Sequence, residues 1–354
     1  MKEGTIEGWS TEAVGGVKGL VVVALAAGVS TLISVFARQI GSHLRVLDIP
    51  DGKRKNHPAA TPQTGGLAIG VPTLAVLVYL AMTSLFLPLY LIAAGTGLAC
   101  LLLGLSDDRK PIRPAYRLLL SLLLALVALE VVPALQVTFL HFSFWDQALF
   151  LEQFALVFTA VCIVGLQNSV NMADGKNGVV MGLCLFWCVE LLLFAPDHMN
   201  LVLLALCATL VIALAFNLRG FLFLGDSGSY SVSYIIALLA IYVYDTAFAA
   251  LPADLVILWF LIPVIDCLRV MALRVFRGHS PFSSDQNHLH HLLHRRLPWR
   301  WGLLVYLSLA GMPGLLASFA PSTTLAWCIA ALSCYGVIIA WPERREREVG
   351  DTAK

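Results

Sequence analysis

The amino-acid sequence predicts an all-α, polytopic integral membrane protein with about eleven transmembrane helices. Of its 354 residues, 59% are hydrophobic and only 13% are charged, whereas globular chains carry about 25% charged residues. The mean hydropathy is +0.82. The stretch from Gly65 to Ser106 contains no charged residue, and it is about twice as long as the ~20 apolar residues that one bilayer crossing needs. These observations exclude a soluble domain, and the net charge of +1 gives no sign of a nucleic-acid partner.

Apolar segments follow one another along the whole chain. Pro88 lies near the middle of the long uncharged stretch and predicts two spans joined by a tight turn. The predicted spans are 17–38, 66–86, 88–105, 117–134, 154–172, 178–195, 200–217, 229–244, 254–272, 302–320 and 323–341. The aromatic-rich segment 139–153 is expected at headgroup depth. The eight cysteines lie mostly in apolar runs without a CxxC pair, which favours small core residues over disulfides or a zinc site.

The basic residues predict the orientation. Of the 23 Lys and Arg, 21 lie in connecting segments on one side of the predicted bundle, and only Lys2 and Lys18 lie on the other. Because cytoplasmic loops carry an excess of Lys and Arg, we expect the N-terminus outside and the C-terminus in the cytoplasm. The first residues are acidic and polar, so no cleavable signal peptide is expected. The predicted organisation is an extracytoplasmic segment 1–16, a transmembrane domain 17–341 with cytoplasmic loops 42–65, 106–117, 173–178, 218–228 and 273–301, and a charged cytoplasmic tail 342–354.

Carboxylates are scarce, yet several lie at the predicted cytoplasmic ends of apolar spans. They are Asp107, Asp108, Asp174, Asp226, Asp266 and Asp285. Ionisable groups near membrane depth are costly and are functional candidates by default. Asp107 and Asp108 are adjacent at a helix end and point in different directions, so one can ligate a cation while the other accepts a proton. Mg²⁺ favours one or two carboxylates plus substrate phosphates; the alternative is a solvated helix end paired with Arg109 and Lys110.

A second motif combines amides with an aspartate and glycines. It reads Asn168-Ser-Val-Asn171-Met-Ala-Asp174-Gly-Lys-Asn177-Gly178. Asn168, Asn171 and Asp174 are spaced by three, which predicts roughly one helical face. An unpaired amide in hydrocarbon costs several kcal/mol, so these side chains need partners. Hydrogen bonding between helices is the alternative to a ligand site.

A third motif, Gly225-Asp226-Ser-Gly-Ser229, lies between two apolar spans and follows Asn217 and Phe223. The glycines and serines predict a tight loop that opens a helix, and the amides at such an N-terminus can receive a phosphate. Phe223 is a candidate for stacking on a base. The alternative is an ordinary capping turn.

Two further cytoplasmic segments are basic. The longest loop holds Ser280-Pro281-Phe282 and then His288, His290, His291, His294 and Arg295. His290 and His294 are spaced as a zinc pair, but the arginines around them favour phosphate binding; a plain basic juxtamembrane patch is a further alternative. The loop with Lys55 and His57 ends in a glycine pair and is a candidate clamp for a diphosphate, or a plain effect of positive-inside bias.

Five ordered motifs at one membrane face indicate phosphoryl transfer between a soluble nucleotide and a lipid. In this order they resemble the polyprenyl-phosphate N-acetylhexosamine-1-phosphate transferase family (glycosyltransferase family 4), from about Asp48 to Leu293. The motifs that carry the resemblance are Asp107-Asp108, Asn168 to Gly178, Gly225 to Ser229 and the run His288-Leu-His290-His291 after Ser280-Pro281-Phe282. The histidine run is similar to the branch that uses UDP-N-acetylglucosamine.

The resemblance implies that UDP-GlcNAc and undecaprenyl phosphate give undecaprenyl-diphospho-GlcNAc and UMP, with Mg²⁺ or Mn²⁺. It implies a bacterial cytoplasmic (inner) membrane protein with its site on the cytoplasmic face, and it makes a homodimer one candidate assembly. It implies metal binding by Asp226 and Asp107, and catalytic roles for Asp107, Asp108 and Asp174. The implied substrate-binding residues are Lys55, His57, Asn168, Asn171, Asn177, Asn217, Phe223, His288, His290, His291 and Arg295, with Asp174 also near the uridine.

Two positions differ from common family patterns. Pro111 stands where some members have a third aspartate, and Asn177 stands where many have an aspartate. An impaired paralogue is therefore one alternative, and another UDP-N-acetylhexosamine as substrate is a second. A secondary transporter is a third alternative, although transporters place their sites near the midplane between inverted repeats.

Overall fold

The computed structural model of the protein describes residues 16–50, 59–283 and 285–342, and its described part is almost entirely helical. The helices are α1 Val17–Val35, α2 Ala37–Leu44, α3 Gly65–Thr83, α4 Leu87–Arg109, α5 Pro114–Val131, α6 Ala155–Ala173, α7 Val179–Leu192, α8 Asp197–Leu218, α9 Gly225–Ala247, α10 Ala253–Phe276, α11 Leu289–Arg296, α12 Trp299–Phe319 and α13 Thr324–Ala340. Short 3₁₀ turns lie at Pro133–Leu135, Glu152–Phe154 and Pro321–Thr323. Two small antiparallel sheets pair β1 Leu47–Asp48 with β2 Thr61–Pro62, and β3 Phe139–Phe142 with β4 Trp145–Phe150. The prediction of an all-α polytopic membrane protein is confirmed.

Helix α9 forms the centre of the bundle. It packs against α3, α4, α6 and α7. All 18 residues of its most apolar stretch are buried inside the protein. Serines are tolerated in this helix because they bond to its own carbonyls, as Ser231 does to Ser227 O at 2.6 Å. Helices α1, α5 and α13 lie outside and expose most of their side chains, as expected for surfaces in contact with lipid. The site at the start of α9 is therefore built on the most enclosed element of the fold.

The helices alternate in direction, so the bundle has two distinct ends. At one end the start of α3 meets the start of α9, where Gly65 N donates to Phe223 O at 2.9 Å. At the other end Tyr90 OH donates to the His198 carbonyl at 2.8 Å, and Ser143 bonds to Asp254. We call the first end the site face and the second the far face. The sequence motifs within the described residues all lie at the site face.

The sixth predicted span is shorter than expected. Ten helices among the described residues are long and apolar enough to cross a bilayer, while α7 has 14 residues. It is about 21 Å long at 1.5 Å per residue, against a hydrocarbon core of about 30 Å. It nevertheless runs from the site face to the far face between α6 and α8. Glu190 of α7 is buried among other helices, whereas its neighbour Val189 is exposed.

Two other predictions are refined by the structure. The aromatic segment 139–153 forms the β3–β4 hairpin at the far face, with Trp145 and Phe150 exposed. The cysteines are all free within the described residues, but not all belong to the core. Cys162 and Cys334 are exposed on the outer surfaces of the bundle, so the prediction of core positions is wrong for these two.

Candidate active site

Three helices approach one another backbone to backbone at the site face. A Cβ atom on Gly104 of α4 would overlap the Asp226 carbonyl and the Ser227 Cα of α9. A Cβ on Gly66 of α3 would overlap the Gly228 amide. Because interiors are close-packed, such positions accept only glycine without movement of a helix. The glycines thus set the distance between the aspartate pair on α4 and the aspartate that opens α9.

Asp108 caps the N-terminus of α9. Its Oδ1 accepts the Asp226 amide at 2.8 Å and its Oδ2 accepts the Ser227 amide at 3.0 Å. The first amides of a helix have no partner within the helix and carry positive partial charge, which favours a carboxylate there. The sequence predicted a phosphate at this N-terminus, whereas the structure places the Asp108 carboxylate on its first two amides.

Asp107 faces the other way, as its adjacency to Asp108 predicted. Its Oδ2 forms an ion pair with Arg117 Nη1 at 2.5 Å and accepts the Tyr230 hydroxyl at 3.3 Å. Its Oδ1 accepts the Ile112 amide at 2.6 Å. Arg117 also lies over the Tyr230 ring, 5.9 Å from its centroid. Arg117 and Tyr230 were missed by sequence reasoning; a single cation near the start of an apolar helix was the available signal for Arg117.

Asp226 is the acid that the protein engages least. Asn171 Nδ2 donates to its Oδ1 at 2.7 Å and to Ser229 Oγ at 3.0 Å. Asp107 and Asp108 both lie near enough to interact electrostatically with Asp226. Three carboxylates with one paired arginine form an oxygen-rich, net negative cluster, which suits Mg²⁺ or Mn²⁺ better than a softer metal. Carboxylate oxygens of this kind are the ligands expected for the predicted cation, and Asp226 stays the predicted metal ligand.

Asn168 does not join this cluster. Its amide contacts Met172 Sδ at 3.5 Å and Cys267 Sγ at 3.7 Å, whereas Asn171 bonds to Asp226, so the two amides of this helical face meet different partners. Three residues turn a helix by about 300°, which is enough to aim Asn171 at α9 and Asn168 towards α10. Asn168 also borders a narrow cleft of about 10 Å³, which is lined by Pro114, Arg117, Leu118, Ser121, Gln167, Asn168 and Tyr230.

Asp174 ends α6 and begins a turn over residues 174–178. Burial, followed by the negative charge of Asp108, raises the pKa of the Asp174 carboxyl to about 7. Asp174 therefore lies beside the acid cluster, outside the helical geometry that the spacing predicted. The adjacent Gly175 touches a histidine: a Cβ there would overlap the His290 ring. The turn thus joins the amide motif to the histidine motif.

Asn217 and Asn177 support this turn from the other side. Asn217 Oδ1 accepts the Gly178 amide at 2.7 Å, and its Nδ2 donates to Leu222 O at 3.0 Å. The Asn177 carbonyl accepts the Trp299 indole N–H at 2.9 Å. Phe223 is half-buried in the strand-like link before α9, where its amide donates to Pro62 O at 2.9 Å. Asn217 therefore shapes the site through its amide group, and Asn177 and Phe223 border it.

The histidines differ in environment. His288 Nδ1 lies 2.9 Å from Asp266 Oδ2, and its Nε2 lies 3.3 Å from Arg274 Nη2, so both ring nitrogens are engaged by protein. This leaves neither nitrogen directed at a ligand, contrary to the expected substrate contact. His290 is 1% exposed, and neither of its ring nitrogens has a protein partner among the described residues. An unpaired buried polar group is costly, so His290 stays a candidate for contact with a ligand.

The remaining basic residues lie around His290. The His291 ring is 4.2 Å from that of His290, while His294 and Arg295 are exposed. Burial, then the positive charge of Lys176, lowers the pKa of His291 to about 4, and burial lowers the pKa of His290 well below its ordinary value. No group of three His, Cys, Asp or Glu among the described residues is arranged to hold a metal ion, so both the zinc alternative and the expected Mg²⁺ or Mn²⁺ stay predictions. Lys55 and His57 lie outside the described residues.

Comparison with known proteins gives a consistent result. Residues 90–244 match the family model described as glycosyl transferase family 4. The undecaprenyl-phosphate alpha-N-acetylglucosaminyl 1-phosphate transferase of Yersinia pestis is 30% identical over 273 residues, which cover 73% of this chain and 72% of the relative. The protein of that name from Escherichia coli (strain K12) is 27% identical over 280 residues, 75% and 74% of the two chains. A probable undecaprenyl-phosphate N-acetylglucosaminyl 1-phosphate transferase of Bacillus subtilis (strain 168) is 26% identical over 277 residues, 74% and 73%.

The protein is a helical membrane bundle with acids, amides and histidines gathered at one end. Its relatives over most of its length are transferases of this kind. It is therefore an enzyme of the phosphotransferase class. The chain belongs to glycosyl transferase family 4, the family of the polyprenyl-phosphate N-acetylhexosamine-1-phosphate transferases. The resemblance found in the sequence motifs is confirmed, and the transporter alternative is wrong.

Proposed function

We propose that the protein transfers N-acetylglucosamine 1-phosphate from UDP-GlcNAc to undecaprenyl phosphate, giving undecaprenyl-diphospho-GlcNAc and UMP. An oxygen of the lipid phosphate attacks the β-phosphorus of UDP-GlcNAc, a new P–O bond forms, and the bond to UMP breaks. This would be the first membrane step of a cell-envelope polysaccharide. The observation that carries the proposal is the tie between Asp108 and the start of α9, which brings Asp107, Asp108 and Asp226 together.

The chain's own groups supply positioning and charge, which dominate the catalysis of phosphoryl transfer. His290 and His291 lie next to the Gly175 turn and are uncharged at neutral pH, as their lowered pKa values require. They can thus offer N–H donors to the sugar or the diphosphate. Asp174 and Asn177 border the same turn and are assigned to the uridine. Arg295 is assigned to the phosphates.

Asp226 would hold Mg²⁺ or Mn²⁺, with Asp107 and Asp108 contributing negative charge. The cation, when bound, neutralises charge on the diphosphate and on the departing UMP. Asn171 orients the Asp226 carboxylate through its 2.7 Å bond. Asp107 keeps Arg117 at the edge of the site. Asp174, with a pKa of about 7, can accept a proton from the lipid phosphate at neutral pH, since a base works best near the working pH.

The acceptor is a membrane lipid, so its phosphate must enter from the side of the bundle. The narrow cleft at Arg117 lies between α5, α6 and α9, and α5 is only 22% buried along its most apolar stretch, so its outer face is open to lipid. Pro114 and Leu118 offer apolar surface for the first prenyl unit. Arg117, one quarter exposed at its side chain, offers a cation to the phosphate. This path ends at Asp107 and therefore beside the acid cluster.

The orientation follows from the charge distribution. Because 21 of the 23 Lys and Arg lie in segments that the sequence predicts on the side of the site face, we assign that face to the cytoplasm of a bacterial inner membrane, where UDP-sugars are found. The test is transfer of radiolabel from several UDP-N-acetylhexosamines into undecaprenyl phosphate by the purified protein, with and without Mg²⁺. Lipid-linked label from UDP-GlcNAc alone, with release of UMP, is the expected result. Label from a different UDP-sugar would correct the substrate, and no label from any would favour the impaired paralogue.

A further inference from the structure

The buried carboxylate of Asp266 joins three helices at the site face. It is 3% exposed on α10. Its Oδ1 accepts Arg269 Nη2 and the Tyr335 hydroxyl of α13, both at 2.8 Å. Its Oδ2 lies 2.9 Å from His288 Nδ1. The Leu289 amide, the first of α11, donates to both oxygens at 3.2 and 3.1 Å, so Asp266 also caps the helix that carries His290.

Arg274, also on α10, fixes the same loop from its other side. Its Nε donates to Asp285 Oδ2 at 2.8 Å and its Nη1 to Pro281 O at 2.6 Å, and its Nη2 lies 3.3 Å from His288 Nε2. A guanidinium only donates, so the network assigns His288 Nε2 as acceptor and Nδ1–H as donor to Asp266. His288 is therefore held between an acceptor and a donor on one rigid helix.

The position of His288 determines the position of His290. The two rings are parallel, at an interplanar angle of 2° and a centroid distance of 5.7 Å. His290 in turn packs on Gly175, next to Asp174. A shift of the start of α11 would move the His290 ring away from this turn, because Asp266 bonds to the residues on both sides of the His288–Leu289 peptide. Contacts therefore connect Tyr335 of α13 and Asp266 of α10, through His288 and His290, to the Asp174–Gly175 turn that is assigned to the sugar nucleotide.

We propose that Asp266 is a positioning residue for the sugar nucleotide. It touches no substrate; it holds His288 and the start of α11 so that His290 faces the Asp174–Gly175 turn. The proposal rests on the function proposed above, in which His290 meets UDP-GlcNAc. None of the residues that bond to Asp266 lines the cleft at Arg117, so we expect Asp266 to act on the donor and to leave the lipid acceptor unaffected.

The variant Asp266→Asn tests this. An amide replaces one acceptor oxygen with a donor group that opposes the surrounding N–H and O–H donors. The matched control is Asp254→Asn on the same helix, since Asp254 is also buried but bonds Ser143 at the far face. We expect the KM for UDP-GlcNAc to rise about tenfold in Asp266→Asn. The KM for undecaprenyl phosphate and the kcat should change by less than about threefold, and the control should leave all three constants near wild type.

A second variant and a second readout separate this proposal from the proposed function. Tyr335→Phe removes one donor and keeps the ring, so its KM for UDP-GlcNAc should rise only about two- to threefold. Trypsin cleavage after Arg277 and Arg295, in micelles without substrate, should be about tenfold faster in Asp266→Asn than in Asp254→Asn. An active Asp266→Asn with wild-type KM for UDP-GlcNAc overturns the proposal. If the wild type transfers nothing, the proposed function fails, and equal trypsin cleavage in Asp266→Asn and wild type then overturns the anchoring role as well.

Discussion

The Asp108 carboxylate accepts the backbone amide of Asp226 at 2.8 Å, so an acid of one motif holds an acid of another in place. The two residues are 118 positions apart in the chain. The bond uses the unpaired amides and the positive partial charge of the α9 N-terminus, and Gly104 permits it by letting the α4 and α9 backbones touch. The contact determines how far Asp226 lies from Asp107 and Asp108, and so the shape of the proposed metal site.

The first prediction concerns the close approach of α4 and α9. Gly104→Ala should abolish transfer and lower the melting temperature, because its Cβ would overlap the backbone of Asp226 and Ser227. Gly95→Ala on the same helix is the control, since a Cβ there meets nothing within 4 Å. It should keep wild-type activity and stability. Equal behaviour of the two variants in a thermal melt and a transfer assay would contradict the packing described here.

The second prediction concerns the metal ligand. Asp226→Asn should reduce transfer by at least about a hundredfold even at high Mg²⁺, because a neutral amide is a far poorer ligand and fails to balance the cation's charge. Its melting temperature should stay close to that of wild type, since Asn171 can still bond to the amide oxygen at position 226. Transfer is measured against Mg²⁺ concentration. Wild-type turnover in this variant would remove Asp226 from the metal site.

The third prediction concerns Asp174 and pH. Its pKa of about 7 in the folded protein lies above the ordinary value of 3.8, so the folded state binds this proton more tightly than the unfolded state does. Ionisation of Asp174 therefore lowers stability progressively as pH rises between those two values. Asp174→Asn carries no charge and should melt higher than wild type at about pH 8 but equally at about pH 4. Thermal melts in EDTA check this, and a difference independent of pH would contradict it.

The fourth prediction concerns Asn177, where this chain departs from the common family pattern. The turn over 174–178 places residue 177 near Asp174, so Asn177→Asp would add a second anion to a site that receives a diphosphate. We expect the KM for UDP-GlcNAc to change by about tenfold at most, about 1.4 kcal/mol, and the kcat to stay near its starting value. Steady-state kinetics measure both. A rise in kcat of several orders of magnitude would instead identify a missing catalytic carboxylate and an impaired enzyme.

The fifth prediction concerns orientation. In intact cells, an impermeant thiol reagent should label Asp197→Cys at the far face and fail to label His294→Cys at the site face. Both positions are exposed, and the site face carries almost all the Lys and Arg. Permeabilised cells provide the control, in which both variants should react. Labelling of His294→Cys from outside would reverse the assigned topology.

The sequence alone predicted the membrane class, the order of the helices and the acids, amides and histidines of the site. These follow from local properties: hydropathy over about 20 residues marks a span, and a carboxylate at a span's end is conspicuous because charge is costly there. The same local rules also misplaced some groups. The first amides of α9 were expected to be free for a phosphate, but the Asp108 carboxylate accepts two of them.

Tertiary structure decided which of these groups meet. Asp107 with Arg117, Asp108 with the α9 amides, and Asp266 with His288 depend on how helices are packed against one another. Side-chain contacts between separate helices reflect the fit of their surfaces, including glycines that admit a neighbouring backbone. No pattern along a single segment contains that fit. The chain therefore specifies the chemical groups locally, and the bundle determines which of them find a protein partner and which, like the ring nitrogens of His290, find none among the described residues.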